Sequence, residues 1–155
     1  MKLTTKGRYA IIAMVDLAIN AVDEPAPLKD ISHRQNISLS YLEQLFSKLR
    51  SSGLVKSIRG PGGGYLLNKL TSDLNLLDII TAVDEKIDQT QCGGAMNCIK
   101  DKPCLTHFIW TDLNNRINDY MREITLSDIT LRKDVQSIIF LRENKNVSSN
   151  QRSEK

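Results

Sequence analysis

Long hydrophobic runs are missing from this 155-residue chain, and no stretch approaches the length needed to cross a bilayer. Histidine is scarce: His33 and His107 are the only two, and no Ser, His and Asp arrangement suggests a nucleophile, so an enzyme is not expected. Cysteine occurs three times, an odd number that cannot pair off internally. The opening residues, with Lys2, Thr4, Thr5, Lys6 and Arg8, lack the apolar core of a signal peptide. The expectation is therefore a cytoplasmic protein with no membrane partner, whose thiols stay reduced and available to metal. A strong net charge is also missing, the total being +3. Its distribution is uneven, however: residues 1–69 carry ten Lys or Arg against five Asp or Glu, whereas 70–155 carry eleven against thirteen. Such asymmetry hints at a polyanion-binding front and a neutral rear.

What is present is a tight cluster of ligands. Cys92, Cys98, Cys104 and His107 follow the spacing C-x5-C-x5-C-x2-H, with Gly93 and Gly94 after the first cysteine and Pro103 before the third. Three thiolates and an imidazole suit zinc or an iron-sulfur cluster better than calcium or magnesium, which prefer oxygen ligands. Structural zinc sites are usually gripped by ligands two to four residues apart. Two of the three gaps here are five, and histidine is an established iron-sulfur ligand, so spacing alone leaves cluster and zinc both open.

Ahead of this loop the pattern is helical. Thr4 or Thr5 opens a first helix with Ala10, Ala13, Met14, Leu17, Ala18 and Ala21 on one face. Ile11, Ile12 and Val15 predict burial on its other sides as well. Lys6 and Arg8 stand at its start, where the helix dipole favours a phosphate. Leu28 to Gln35 reads as a short second helix with Leu28 and Ile31 inward. Ser40 and Glu43 supply a capping box for a third, lined by Leu42, Leu45, Phe46 and Leu49 and ended by Gly53. Two helices so joined make a helix-turn-helix. Ser40, Tyr41, Glu43 and Gln44 then occupy the turns that enter a major groove, with chemistry suited to base edges, and Lys48 and Arg50 lie nearer the backbone.

Leu54 to Ile58 and Tyr65 to Leu67 flank the run Arg59-Gly60-Pro61-Gly62-Gly63-Gly64, which predicts a hairpin with a glycine-rich tip. A hairpin directly after a helix-turn-helix is a wing, and Arg59 is placed to reach a narrow minor groove. A phosphate-binding P-loop is excluded because no Gly-Lys-Ser or Gly-Lys-Thr follows. Leu76 to Val83 predicts another helix, and Asp84 to Gln91 a polar lead into the cysteine loop. Beyond it, Trp110, Leu113, Ile117, Tyr120 and Ile124 step by three, four, three and four, the alternation of a coiled-coil seam on a helix from about Leu105 to Ile124. Pairing with the same helix of a second subunit is the simplest way to cover that seam. Thr125 and Asp128 cap a short helix with Leu126, Ile129 and Val135 inward, and Ile138 to Leu141 form an apolar patch. The expected layout is a winged helix-turn-helix domain over 1–84, a cluster-binding loop over 85–107, a dimerisation helix and helical segment over 105–141, and a disordered tail over 142–155. The fold class is mainly α with a small β-hairpin wing.

The chain resembles the IscR family of bacterial iron-sulfur cluster regulators, which are winged-helix transcription factors. The resemblance is carried by Leu3-Thr4-Thr5-Lys6-Gly7-Arg8-Tyr9-Ala10, by Ile37-Ser38-Leu39-Ser40-Tyr41-Leu42-Glu43-Gln44-Leu45-Phe46, by the wing from Arg59 to Leu67, and by the Cys92, Cys98, Cys104, His107 spacing. It covers most of residues 1–134. It implies a homodimer holding one 2Fe-2S cluster per subunit on those three cysteines and that histidine, with iron-sulfur assembly proteins as donors. It implies double-stranded promoter DNA as partner, read by Ser40, Tyr41, Glu43, Gln44 and Arg59. Lys6, Arg8, Ser38, Lys48, Gly60 and Gly62 complete the expected DNA surface. In that family the clustered form represses the genes of cluster assembly, and both forms bind a second promoter class. A nitric-oxide-sensing cluster or a structural zinc on the same ligands is the alternative.

Overall fold

An apolar face on the first helix lets the rest of the chain close around it: Ala10, Ala13, Met14 and Leu17 of α1 (Thr5–Asn20) are all fully buried. The computed structural model describes residues 3–150. After α1 come α2 (Leu28–Gln35), α3 (Leu39–Ser51), strands β1 (Val55–Ile58) and β2 (Gly64–Leu67), a 3-10 turn at Thr71–Asp73, and α4 (Leu76–Ala82). The long α5 (His107–Glu123), α6 (Leu126–Leu131) and α7 (Lys133–Asn150) follow the cysteine loop. This is the expected mainly helical fold with one antiparallel hairpin, in which Val55 faces Leu67 and Ile58 faces Gly64.

Ile31, Leu42, Phe46 and Leu49 from α2 and α3, Leu74 before α4, Ile79 within it and Leu126 of α6 join the α1 face in one core. The wing is tied to that core. Tyr65 and Ala26 exchange two backbone hydrogen bonds of 2.9 and 3.0 Å, and the Tyr65 ring meets Phe46 edge-on. A side chain at Gly64 would lie 2.4 Å from the Ala26 carbonyl, so only glycine admits this approach.

Three local expectations change. The cap of α3 is Ser38, whose hydroxyl accepts from the Tyr41 N–H at 3.3 Å, and Ser40 lies inside the first turn. The serine two positions earlier still has extended backbone, which a capping residue requires. Ile12 is exposed, and Ile11 and Val15 are half-buried, because that side of α1 faces an open groove shared with Val135, Ile138 and Ile139 of α7. The segment expected as a tail continues α7 through Asn150, with Arg142 donating to Gln35 Oε1 at 3.3 Å. Residues 151–155 of that segment lie outside the described residues. Gly53 adopts the left-handed conformation expected of it, at φ 74°.

Two buried acids brace the helix-turn-helix. Asp16 of α1, 2% exposed, accepts from Arg34 Nη2 at 2.7 Å, Arg34 Nε at 3.0 Å and Gln35 Nε2 at 2.6 Å, fixing the end of α2. Glu85, also buried, accepts from the Thr4 N–H at 3.0 Å and from the Thr4 hydroxyl, so the residue that starts α1 is held from outside the helix. Burial pushes the Glu85 carboxyl up, but the Thr4 hydrogen bonds outweigh it and hold the group below the usual glutamate range.

Asp16→Ala removes a buried acceptor of hydrogen bonds from Arg34 and Gln35 and is expected to cost about 1.5–3 kcal/mol of stability, read as a lower urea midpoint. Because the folded pKa of Glu85 is depressed, its contribution is present above the ordinary glutamate pKa and is lost as pH falls through the folded value. Glu85→Gln is accordingly expected to lower stability at neutral pH and to narrow the gap between neutral and acid unfolding curves.

Candidate metal centre and nucleic-acid interface

Between Glu85 and His107 no residue is buried, so apolar packing does not shape the cysteine loop. Backbone turns do. Gly93, Gly94, Met96, Lys100 and Asp101 all have positive φ, and Ile99 and Lys102 exchange hydrogen bonds of 3.0 and 2.9 Å. Polar side chains fasten the loop's leading edge to α5. Asp88 Oδ1 accepts from the Thr90 N–H, the Thr90 hydroxyl and Asn114 Nδ2, each at 2.7 Å, while Asn114 Oδ1 accepts from the Gln89 N–H at 2.7 Å.

The turns bring soft donors together. Cys92 Sγ and Cys98 Sγ each lie 3.5 Å from His107 Nδ1, and the three ligand atoms are all within 4.8 Å of one another. His107, the first residue of α5, is only 3% exposed, and its Nε2 lies 3.5 Å from the Thr111 hydroxyl. Cys104 stands outside this trio. Its thiol meets the Thr106 hydroxyl at 3.6 Å and hydrogen-bonds Cys98, so the fourth expected ligand is adjacent to the group.

The thiols differ in acidity. Burial raises Cys92, but hydrogen bonds from Cys98, from backbone N–H groups and from His107 bring it down to about 6, so it is substantially thiolate near neutrality. The Thr106 hydroxyl holds Cys104 below the usual thiol range. Cys98 is raised despite a lowering backbone hydrogen bond, because it donates to Cys92. A ready thiolate, a second thiol and an imidazole at this separation fit a thiophilic metal such as zinc or iron.

A second candidate surface lies on the amino-terminal half. Ser40, Glu43, Gln44 and Arg50 are exposed on α3, and Ser38 is exposed at its start. Tyr41 is half-buried, with its ring edge-on to Tyr9 at 5.8 Å. Arg59, Gly60 and Gly62 are exposed at the wing tip, and Arg8 is exposed at the start of α1 with its Nε on the Leu3 carbonyl at 3.2 Å. Lys6 and Lys48 both reach one exposed residue, Asp84: Lys48 Nζ donates to its carboxylate at 2.5 Å and Lys6 Nζ to its carbonyl at 3.4 Å.

On α5 the expected seam is mostly uncovered. Trp110, Leu113 and Tyr120 are exposed, as are Phe108 and Ile109, whereas Ile117 is half-buried and Ile124 packs against the chain's own core. Sequence reasoning missed Asp84, Asp88, Thr111 and Asn114. The Asp88-Gln89-Thr90 run carries the signature of an Asx turn, which could have flagged Asp88; nothing local marks Asn114.

The sequence profile of the Rrf2 family, described as an iron-dependent transcriptional regulator, matches residues 3–132. The HTH-type transcriptional regulator IscR of Yersinia pestis is 53% identical over 138 residues, covering 89% of this chain and 84% of the relative. IscR of Pectobacterium atrosepticum is 52% identical with the same coverage. Among solved structures, T. potens IscR superposes with a TM-score of 0.67 at 37% identity, over 83% of this chain and 85% of that one. CymR, the global cysteine regulator of B. subtilis, gives 0.72 at 34% identity over 83% and 95%. These relatives are regulators rather than enzymes, and with the profile matched over most of its length the chain belongs to the Rrf2 family of transcriptional regulators.

Proposed function

We propose that this Rrf2-family regulator holds a 2Fe-2S cluster on Cys92, Cys98, Cys104 and His107 and reads promoter DNA according to whether the cluster is present. The observation that carries the reading is the convergence of Cys92, Cys98 and His107 at the buried start of α5, on a loop with no apolar core of its own. Loaded protein represses the genes of cluster assembly, and a second promoter class is bound with or without the cluster. Depletion of clusters then relieves repression. A bound cluster supplies a redox- and iron-sensitive bond set; the chain supplies the thiolates, the imidazole and the order of the loop.

One cluster per subunit and a homodimer complete the reading, with iron-sulfur assembly proteins as donors. The dimer is supported by the apolar residues exposed on α5, where Trp110, Leu113 and Tyr120 lie three, then seven residues apart on one side of a helix about 26 Å long. In DNA, Ser40, Glu43 and Gln44 meet base edges from the first turns of α3, with Tyr41 beside them braced on Tyr9, and Arg59 enters the minor groove from the wing between Gly60, Gly62 and the strands. Ser38, Lys6, Arg8 and Lys48 meet phosphates, which position the protein without reading sequence.

One observation favours a second reading. Cys104 lies outside the trio that converges, and two thiols with an imidazole already approach the donor set of a structural zinc site. Iron, sulfide and zinc analysis of anaerobically purified protein, with its absorption spectrum, separates the two. Coloured protein with matching iron and sulfide is the expected result; colourless protein with stoichiometric zinc would replace the sensor by a structural site.

Alanine at Cys92, Cys98 or Cys104 is expected to remove the visible absorption while leaving helical circular dichroism and part of the DNA binding intact. Glu43→Ala is expected to change which sequences are selected from a randomised duplex pool more than the overall affinity, since a carboxylate accepts from the cytosine amino group but repels phosphates. Uniform weakening on every sequence would show that Glu43 does not discriminate bases.

A further inference from the structure

We propose that Asp84 competes with the DNA backbone for Lys48, and so sets how much positive charge α3 offers to a duplex. The inference rests on the DNA-binding reading above and adds to it a positioning residue outside the recognition helix and the wing.

It starts from the way α4 ends. Asp84 takes the left-handed conformation at φ 57°, with its N–H on the Thr81 carbonyl at 3.0 Å, and the Glu85 N–H returns to Ile80 at 3.2 Å. Chains leave helices through such a turn with one residue facing away from the next. Here Glu85 is directed to Thr4 at the start of α1, and Asp84 to α3, where its carboxylate accepts from Lys48 Nζ at 2.5 Å. The carbonyl of Asp84 accepts from Lys6 Nζ at 3.4 Å. Two lysines assigned to phosphates therefore converge on a single residue.

The competition follows from elementary electrostatics. The hydrogen bond and charge of Lys48 hold the Asp84 carboxyl below the usual range, so it is ionised at neutral pH. The Lys48 and Asp84 side chains are 43% and 73% exposed, which leaves the ammonium reachable by a phosphate oxygen. A phosphate that arrives must share an ammonium already neutralised and approach a second anion. Fewer counterions are then released than a free lysine would release. The pair is solvent-exposed, which limits the effect to a few-fold in affinity.

Phosphate contacts are independent of sequence, so a mixed-sequence duplex is a sufficient probe. Its affinity is measured by fluorescence anisotropy at low salt for the wild type, Asp84→Asn, Lys48→Ala and the double variant. Asparagine tolerates the left-handed backbone, and Asp84→Gly, which adopts it freely, serves as a second version. Asp84→Asn is expected to tighten binding roughly two- to fivefold, and this gain is expected to disappear in the Lys48→Ala background. No tightening, or equal tightening with Lys48 removed, overturns the inference while leaving DNA binding in place. A wild type that binds no duplex overturns the DNA-binding reading, and the inference with it.

Discussion

His107 is the sole buried residue of α5, and the candidate metal site depends on that anchoring. The imidazole is held from three sides: its Nδ1 faces two thiols, its Nε2 approaches Thr111, and the Phe108 ring stands edge-on to it at 5.4 Å. The chain from 86 to 106 contributes nothing to the core, so its folding has no hydrophobic driving force of its own. The hydrogen bonds of Asp88, Thr90 and Asn114 order only its leading edge. Where a preformed core is absent, metal-ligand bonds become folding free energy, and occupancy of this site and order of this loop are then one equilibrium.

The amino-terminal half is built the other way. The candidate DNA-contacting face of α3 rests on residues buried without remainder: Leu42, Phe46 and Leu49 fix one side of the helix while Ser40, Glu43 and Gln44 keep the opposite side in solvent. Asp16 adds a polar lock. A buried carboxylate with three donors cannot slide without losing all of them, so α2 is kept in register with α1 as well as in contact. The backbone that carries the exposed face is thus fixed from its buried side, while the exposed Glu43 and Gln44 side chains are left to be ordered by what they meet.

Periodicity explains why the helices of this half were legible from residues alone. Leu28 and Ile31, then Leu42, Leu45, Phe46 and Leu49, repeat at three and four, and the boundaries of α2 match the expectation residue for residue. The glycine-rich wing was legible because Gly60 to Gly63 can serve little but a turn, though Gly64, expected in that turn, is the first residue of β2. Capping was less so: Ser38 and Ser40 compete for one role, and the decision lies in backbone conformation. The candidate donors stood out as a list, since three thiols and an imidazole within sixteen positions are rare, but the list held no distances: Cys92, Cys98 and His107 converge and Cys104 stands aside. Ile124 was misplaced for a related reason. A seam pattern cannot tell which residue ends a helix and turns back to the core, as Ile124 does when its carbonyl accepts from Leu76 at 3.0 Å. Asp84 and Asn114 carry no pattern, because their partners are remote in sequence.

Within one chain, α4 lies between the cysteine loop and helix α3, packing on α1 and α3 as well as on α5. Helix α5 packs on α4, and the segment between α4 and Cys92 touches the amino-terminal half through Glu85 at Thr4 and Asp84 at Lys48 and Lys6. A loop that changes with occupancy can bias DNA binding only through contacts that differ between its two states. The exposed ion pair is screened by solvent, which limits it to a few-fold change. Glu85 is buried, and moving it would free Thr4 and disturb the start of α1, at a cost nearer that of a buried charged hydrogen bond, about 1.5–3 kcal/mol. Modest tuning therefore belongs to Asp84, and a larger switch within a single chain would act through buried contacts, Glu85 at the start of α1 or the packing of α4 on α1 and α3. A second route is the uncovered apolar side of α5, where a partner helix would set the distance between two DNA-reading heads rather than the charge on one.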